Sequence, residues 1–238
     1  MEHALPLGIA ATVIEVVACR VLARVAPPTW SAVVSGSPLW GFYVGGFHQG
    51  VVFPVFAGIA LYPVLLGELS LDAWLHSSFS DVPMPTGCVY FHLSLAVYWA
   101  KDCLAVKMPA LIWFHHIICL LSVAASLSGS LPHAAGVFTI GAFALETGSL
   151  ANTVSEVSRE DSRHTVRRLV TPVMAASNVF SICLVLRHAW TFDGAGAATW
   201  WLAAAVGTTL CLVRQFEWNK ALSAGEAARV QRSNGKEA

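Results

Sequence analysis

The chain has 238 residues, of which 56% are hydrophobic and only 12% charged, and its mean hydropathy is +0.63. A soluble globular domain carries about twice that share of charged residues, so the composition excludes one and points to an integral membrane protein. Fourteen Lys and Arg balance fourteen Asp and Glu, which removes the basic surplus expected of a nucleic-acid binder, and no nucleic-acid partner is expected.

Residues 5–26, 39–62, 86–106, 108–128, 132–153, 170–189 and 197–216 each supply the roughly 20 mostly apolar residues that a helical crossing needs. These runs are too long and too continuously apolar for barrel strands. The predicted fold class is therefore all-α, a polytopic transmembrane helix bundle of about seven spans. The first run carries Glu15, and without it six spans remain, with both termini on one side. Residues 1–4 lack the basic stretch of a cleavable signal peptide, so the first run is expected to be a retained span. The expected division is an N-terminal span and linker over 1–38, a transmembrane domain over 39–216 and a disordered cytosolic tail over 217–238.

With seven spans the basic residues sort to one side. Arg20, Arg24, Lys101, Lys107, the group Arg159, Arg163, Arg167 and Arg168, and Arg214, Lys220, Arg229, Arg232 and Lys236 all fall on the face of the C-terminus, and Arg187 alone falls opposite. The positive-inside rule makes that face cytosolic. The segment 63–85 holds Glu68, Asp72 and Asp81 with no Lys or Arg, which places it on the lumenal side with Trp74 at the interface. The segment 155–168 is expected to be a solvated cytosolic connector, and Trp200 with Trp201 to mark a span boundary. The six cysteines lie in apolar stretches without metal-type spacing and read as packing residues.

Polar residues inside the spans carry the functional signal. His115 and His116 interrupt the fourth run, His48 the second and Glu146 the fifth, while Tyr98 and Asp102 stand at i, i+4 near the end of the third. Counted at 1.5 Å per residue, these groups lie at similar depth, about 6 to 14 Å from the cytosolic boundary. An ionisable group in hydrocarbon is costly and by default faces a bundle interior or a water-filled cavity, so one cavity open to the cytosolic leaflet is expected. Adjacent helix positions diverge by about 100°, so one of His115 and His116 is expected in the cavity while the other bonds a neighbour. Glu146 has no basic neighbour on its own helix and is expected either to be protonated or to pair with a histidine across the cavity. Asp102 with Lys101 is expected near the interface, reaching headgroups or water. Glu15 and Arg20 could neutralise parts of the bundle, and His92 stands apart from the group.

Trp40 and His48, then Tyr98 with Asp102, then Trp113-Phe114-His115-His116, Gly136, and Glu146 with Ser149 and Asn152 follow one another in an order that resembles the TLC domain family, named for its TRAM, Lag and CLN members. The resemblance covers residues 39–216. It implies a protein of the endoplasmic reticulum or a related endomembrane acting in lipid metabolism or lipid homeostasis, with ceramide synthases as the enzymatic branch. Those enzymes carry a His-Asp-x-Ser-Asp type segment where this chain has Leu145-Glu146-Thr147-Gly148-Ser149. The chain is therefore more similar to the TLC-domain-containing and CLN-like branch.

Three functional readings follow. In the first, a neutral imidazole of His115 or His116, oriented by Glu146, acts as general base or acyl acceptor in transfer from acyl-CoA to a lipid amine or hydroxyl. In the second, the same cavity binds or moves a membrane lipid, with His48, Tyr98, Asp102, Ser149 and Asn152 contributing contacts and without assured catalysis. In the third, His48, one of His115 and His116, and Glu146 form a metal site, although no metal or other cofactor is expected. The absence of phosphate-binding loops, a serine-nucleophile motif and a nucleotide fingerprint removes most other enzyme classes. Membrane lipid and acyl-CoA are the expected small partners, and a homo-oligomer remains open.

Overall fold

The computed structural model describes residues 4–81 and 85–234, with side chains up to residue 227. The fold is all-α. Helix α1 (Ala4–Val25) leads into a short α2 (Pro28–Ser31) and a two-stranded hairpin, β1 (Val33–Val34) with β2 (Ser37–Pro38). Ser35 and Gly36 both have positive φ at its tip, the backbone that a tight primed turn demands. The second long segment is α3 (Leu39–Phe47), a π-helical turn (His48–Val52) and α4 (Phe53–Leu65) in one continuous rod. After α5 (Leu71–Leu75) come four long helices and one longer still. These are α6 (Thr86–Ala105), α7 (Ala110–Leu127), α8 (Ala135–Val157), α9 (Arg163–Thr191) and α10 (Ala197–Asn234).

Among the described residues, five helices are long and apolar enough to cross a membrane: Leu5–Val25, Leu39–Leu65, Ala110–Leu127, Arg163–Thr191 and Ala197–Ala227. The two remaining long helices, α6 and α8, fall short of that apolarity for a structural reason. They sit at the centre of the bundle. α6 packs against α1, α4 and α7, while α8 packs against α3, α4 and α9. Their polar residues, among them His92, Lys101 and Asp102 on α6 and Thr139, Glu146 and Thr153 on α8, are buried in protein. The outer helices instead turn bulky apolar side chains outward, such as Leu5, Ile14 and Val17 on α1 and Leu111, Phe114 and Leu121 on α7.

The π turn has a local cause. Pro54 has no N–H and its ring crowds the carbonyl four residues back, which belongs to Gly50, and the chain relaxes into wider bonding, with the Phe53 N–H donating to His48 O five residues earlier. The widened turn carries His48 and Gln49, consecutive residues, both to the interior at 6% exposure.

Several expectations are corrected here. Trp74, expected at an interface, is 1% exposed in the core at the α5 end of the bundle, and its indole N–H donates to Ala60 O at 2.9 Å. It reaches that position because α5 lies directly on α8. A Cβ at Gly136 would stand 2.2 Å from Trp74 O and 2.7 Å from Leu75 Cα. Of the pair at the start of α10, Trp200 is buried and donates to Pro132 O at 2.9 Å, while Trp201 is exposed.

Residues 155–168, expected to be a solvated cytosolic connector, do not form one. α8 continues to Val157 and α9 begins at Arg163, so only a short turn separates them. Glu156 is buried and paired with Arg167, with Arg163 Nε at 4.0 Å and the Ser35 hydroxyl donating at 2.9 Å. That cluster also overturns the disordered tail from residue 217. Arg167 lies over the Trp218 ring and reaches Ala221 O, and Gly225 sits against His164, so α10 is held in helical form beyond the apolar run that ends at Phe216. Residues 235–238 of the expected tail lie outside the described residues.

Replacing Gly136 by alanine forces the α5 backbone off α8. Overpacking of this kind costs about 1–3 kcal/mol, so Gly136→Ala is expected to lower the unfolding midpoint of detergent-purified protein, whereas Gly58→Ala, which meets open space, is expected not to. Equal midpoints for the two variants would contradict the close packing of α5.

Candidate functional site

Side chains from five long segments meet in the half of the bundle nearer the α6–α7 and α8–α9 turns. His48 donates from Nδ1 to Val44 O at 2.9 Å within its own helix, which leaves Nε2 facing Glu15 Oε1 of α1 at 3.0 Å. A neutral ring that donates from Nδ1 has only a lone pair at Nε2, and a carboxylate oxygen also only accepts. The pair is therefore bonded only when it holds one further proton, on the imidazole or on the carboxyl. Glu15, expected to neutralise part of the bundle, reaches across to the π-helical turn.

Gln49 joins three elements. Its Nε2 lies 3.3 Å from Tyr98 Oη and 3.2 Å from Glu146 Oε2, and its Oε1 accepts from Thr153 Oγ1 at 2.8 Å. An amide offers both donors and an acceptor, which is what this position between a carboxyl and two hydroxyls demands. Small residues let the helices close around it: a Cβ at Gly45 would meet Tyr98 Oη at 3.3 Å, and one at Gly46 would meet Thr153 at 3.1 Å.

On α6, Lys101 is 0% exposed, so it does not reach headgroups or water. Its ammonium sits 2.6 Å from Asp102 Oδ1 and 4.5 Å from the centroid of the Tyr98 ring. Asp102 also faces His116, with Oδ2 and Nδ1 3.7 Å apart. That separation is too long for a hydrogen bond, and His116 Nδ1 is buried without a partner. The Tyr98 ring lies between the two imidazoles, 5.2 Å from His48 and 6.2 Å from His116.

The adjacent histidines diverge. His116 turns to Tyr98 and Asp102, and His115 turns along its own helix to Cys119 Sγ at 3.6 Å. Glu146 pairs with Gln49 and with no histidine, so the carboxyl beside His116 is that of Asp102 and the one beside His48 is that of Glu15. The set of His48, His116 and Glu146 consequently does not converge as metal ligands, and among the described residues no three His, Cys, Asp or Glu side chains do. Direct hydrogen bonds join several of these buried side chains to one another.

A second polar group adjoins the first. Arg214 of α10 points inward, donating to Leu145 O at 2.9 Å, to Ser149 Oγ at 3.3 Å and to Asn178 Oδ1 at 3.3 Å, and Asn178 donates on to Gln215 at 2.9 Å. Gly148 makes room for it, since a Cβ there would stand 2.6 Å from the guanidinium and 2.1 Å from Ser177 Oγ. Arg214 is within electrostatic reach of Glu146. Ser149 thus belongs to the Arg214 group rather than to the His116 group, and Asn152 is half-buried and makes no side-chain hydrogen bond to either. His92 is separate as expected, bonded to Cys88 O at 2.8 Å and close to Ser126.

Gln49 and Arg214 are the functional residues that sequence reasoning missed. A signal existed for Gln49, a polar residue directly after His48 and before Gly50 and Pro54 in an otherwise apolar run. Arg214 has the appearance of a positive-inside marker in the sequence, and only the packing of α10 on α9 and α8 turns it inward.

Comparison with known protein families, with characterised proteins and with solved structures finds no match for this chain.

Gln49→Leu keeps the volume and removes the amide. It leaves Glu146, Tyr98 and Thr153 short of a partner, at about 1–3 kcal/mol for each buried group left unsatisfied. A clear fall in the unfolding midpoint of Gln49→Leu in detergent is expected, and no change would show that the amide does not tie the three helices together.

Proposed function

We propose that the chain is a seven-span endomembrane protein of the TLC-domain type that handles a membrane lipid at the buried polar centre around His116, Asp102 and Tyr98. Support for seven crossings comes from α6 and α8, whose polar residues face protein instead of lipid, and from the sorting of basic residues to one face. Support for lipid handling comes from the centre itself, together with the order of residues that resembles the family. An assignment to the endoplasmic reticulum or another endomembrane rests on that resemblance.

One observation carries the reading. His116 Nδ1 is buried without a hydrogen-bond partner, opposite an Asp102 oxygen 3.7 Å away. Leaving such an atom unsatisfied costs about 1–3 kcal/mol, and unsatisfied polar atoms in native interiors call for an occupant or a task. A hydroxyl or amine would be suited to it, donating to the carboxylate while contacting the imidazole. A lipid with such a headgroup would keep its chains in the bilayer beside α7.

The same pair favours a second reading, acyl transfer. With acyl-CoA as donor, the lipid oxygen or nitrogen would attack the thioester carbonyl while His116 takes its proton and Asp102 stabilises the imidazolium. The carbon–sulfur bond would then break and the proton pass to the departing thiolate. In this scheme Asp102 takes the orienting role that the sequence assigns to Glu146.

The test is lipid analysis of protein extracted with its surrounding membrane, for wild type, His116→Ala and Asp102→Asn at matched amounts. The reading predicts a hydroxyl- or amine-bearing lipid class enriched several fold with wild type and lost from both variants. Equal lipid composition in all three would sink it. An acylated product formed from added acyl-CoA by wild type alone would make the protein an acyltransferase.

A further inference from the structure

Glu15 stands midway along α1 (Ala4–Val25), in a helix whose Leu5, Ile9, Ile14 and Val17 point outward. Of the five helices apolar enough to cross a membrane, α1 is the least enclosed, with 6% of its span buried in protein against 17% to 33% in the others. It is attached along α6, where Leu93 lies against Gly8 and the buried Cys19 stands within electrostatic reach of Lys101 and Asp102. Among the described residues, Glu15 is the one side chain of α1 that forms a hydrogen bond or ion pair outside its own helix. A carboxyl at that depth is costly in a bilayer, and apolar packing on α6 does not call for it.

The geometry limits what the contact with His48 can be. His48 Nδ1 is committed to Val44 O, so Nε2 presents a lone pair in the neutral ring and an N–H only in the imidazolium. At 3.0 Å from Glu15 Oε1 it forms a hydrogen bond when the pair carries one proton, and it sets two acceptors against each other when the pair carries none. Glu15 Oε2 is enclosed and has no partner to offset a negative charge there. The charged and titratable groups around the pair are Lys101 and Asp102 on α6, which occupy each other at 2.6 Å, Tyr98 on α6, whose ring lies 5.2 Å from that of His48, and Cys19 on α1. Glu146 on α8 is turned to Gln49, and Tyr43 and Tyr62 of the second long segment are exposed. Lys101 is the only cation in this set, and Asp102 already holds it.

We infer that Glu15 and His48 form a proton-binding site within the membrane, and that the proton it holds latches α1 onto the bundle. The inference goes beyond the lipid reading of the His116 centre and does not require it. The docked form holds the proton and the separated form need not, so docking is favoured as pH falls and lost as pH rises. Release of α1 would uncover His48 and the Tyr98 ring, which lies 6.2 Å from the His116 ring on its other side, and so open the polar centre to the bilayer. In this arrangement α1 is a lateral gate closed by one proton.

Two measurements on the full chain in lipid nanodiscs test this. Dicyclohexylcarbodiimide, an apolar reagent that adds to protonated carboxyls within bilayers, is expected to modify Glu15 in acid and several fold less in alkali, with the adduct located by mass spectrometry of proteolytic fragments. Absence of the adduct at every pH would overturn the proton site. Spin labels at Arg24 and Lys107, both exposed, in a variant whose native cysteines are replaced, would report the spacing of α1 and α6 by pulsed electron spin resonance. A single spacing is expected in acid, with a longer population added in alkali. Glu15→Gln carries an amide N–H that can donate to His48 Nε2 without a titrating proton, and it is expected to stay docked at every pH. A spacing that ignores pH when Glu15 is present would overturn the latch. Opening of Glu15→Gln in alkali to the same extent would assign the response to another group, such as Asp102, and overturn it as well. His116→Ala is expected to keep the pH response, which separates failure of the latch from failure of the lipid reading.

Discussion

Hydrocarbon offers no hydrogen-bond partner, so every polar side chain that a membrane bundle keeps must find one inside the protein. In this chain the Gln49 amide meets that constraint for three helices at once. It reaches Tyr98 on α6 and Glu146 and Thr153 on α8 from a π-helical turn. A regular helix at that point would separate His48 and Gln49 by about 100°. The relaxed turn forced by Pro54 brings both inward, His48 to Glu15 and Gln49 to Glu146. The arrangement of α1, α6 and α8 around the second long segment depends on this turn.

The polar centre therefore consists of linked pairs and not of a single open chamber. Glu15 faces His48 at 3.0 Å, Lys101 with Asp102 forms an ion pair, Gln49 holds Glu146, and Arg214 holds α8 to α9 and α10. A buried charge is tolerable only when paired in this way. His116 keeps an unpartnered nitrogen across from Asp102, as Glu15 keeps an unpartnered Oε2 beside His48. Closer to the α8–α9 turn, Glu156 with Arg167 closes the same end by tying the hairpin, α8, α9 and α10 together. At the opposite end, α5 seals the bundle with Trp74.

The long helices were legible because each is a run of apolar residues of crossing length, and the seven runs coincide with the seven long helical segments. Their cytosolic ends were less so. Arg163, Arg167 and Trp218 look like solvated residues in the sequence, yet their pairing with Glu156 and stacking on one another extend α9 and α10 beyond the apolar stretches. The site was legible in depth but not in azimuth. Counting residues brought His48, Tyr98, Asp102, His116 and Glu146 to one level, and it could not tell which carboxyl faces which imidazole. That is why Glu146, expected to be protonated or to pair with a histidine, proves to be bonded to Gln49, and why Ser149 was grouped with the histidines when it accepts from Arg214. The inward turn of Arg214 depends on Gly148 and Ser177, two small residues on other helices, a relation with no trace in local sequence.

The central claim is that α6 and α8, polar as they are, cross the bilayer with their charged residues turned inward. Single cysteines at Gly67, Ser130, Gly194, Lys107 and Ser158, in a variant whose six native cysteines are replaced, would be tested in sealed vesicles with a membrane-impermeant thiol reagent. The account predicts that Gly67, Ser130 and Gly194 label from one side and Lys107 and Ser158 only from the other. Labelling of Ser130 and Ser158 from the same side would contradict it, because α8, which joins them, would then not cross.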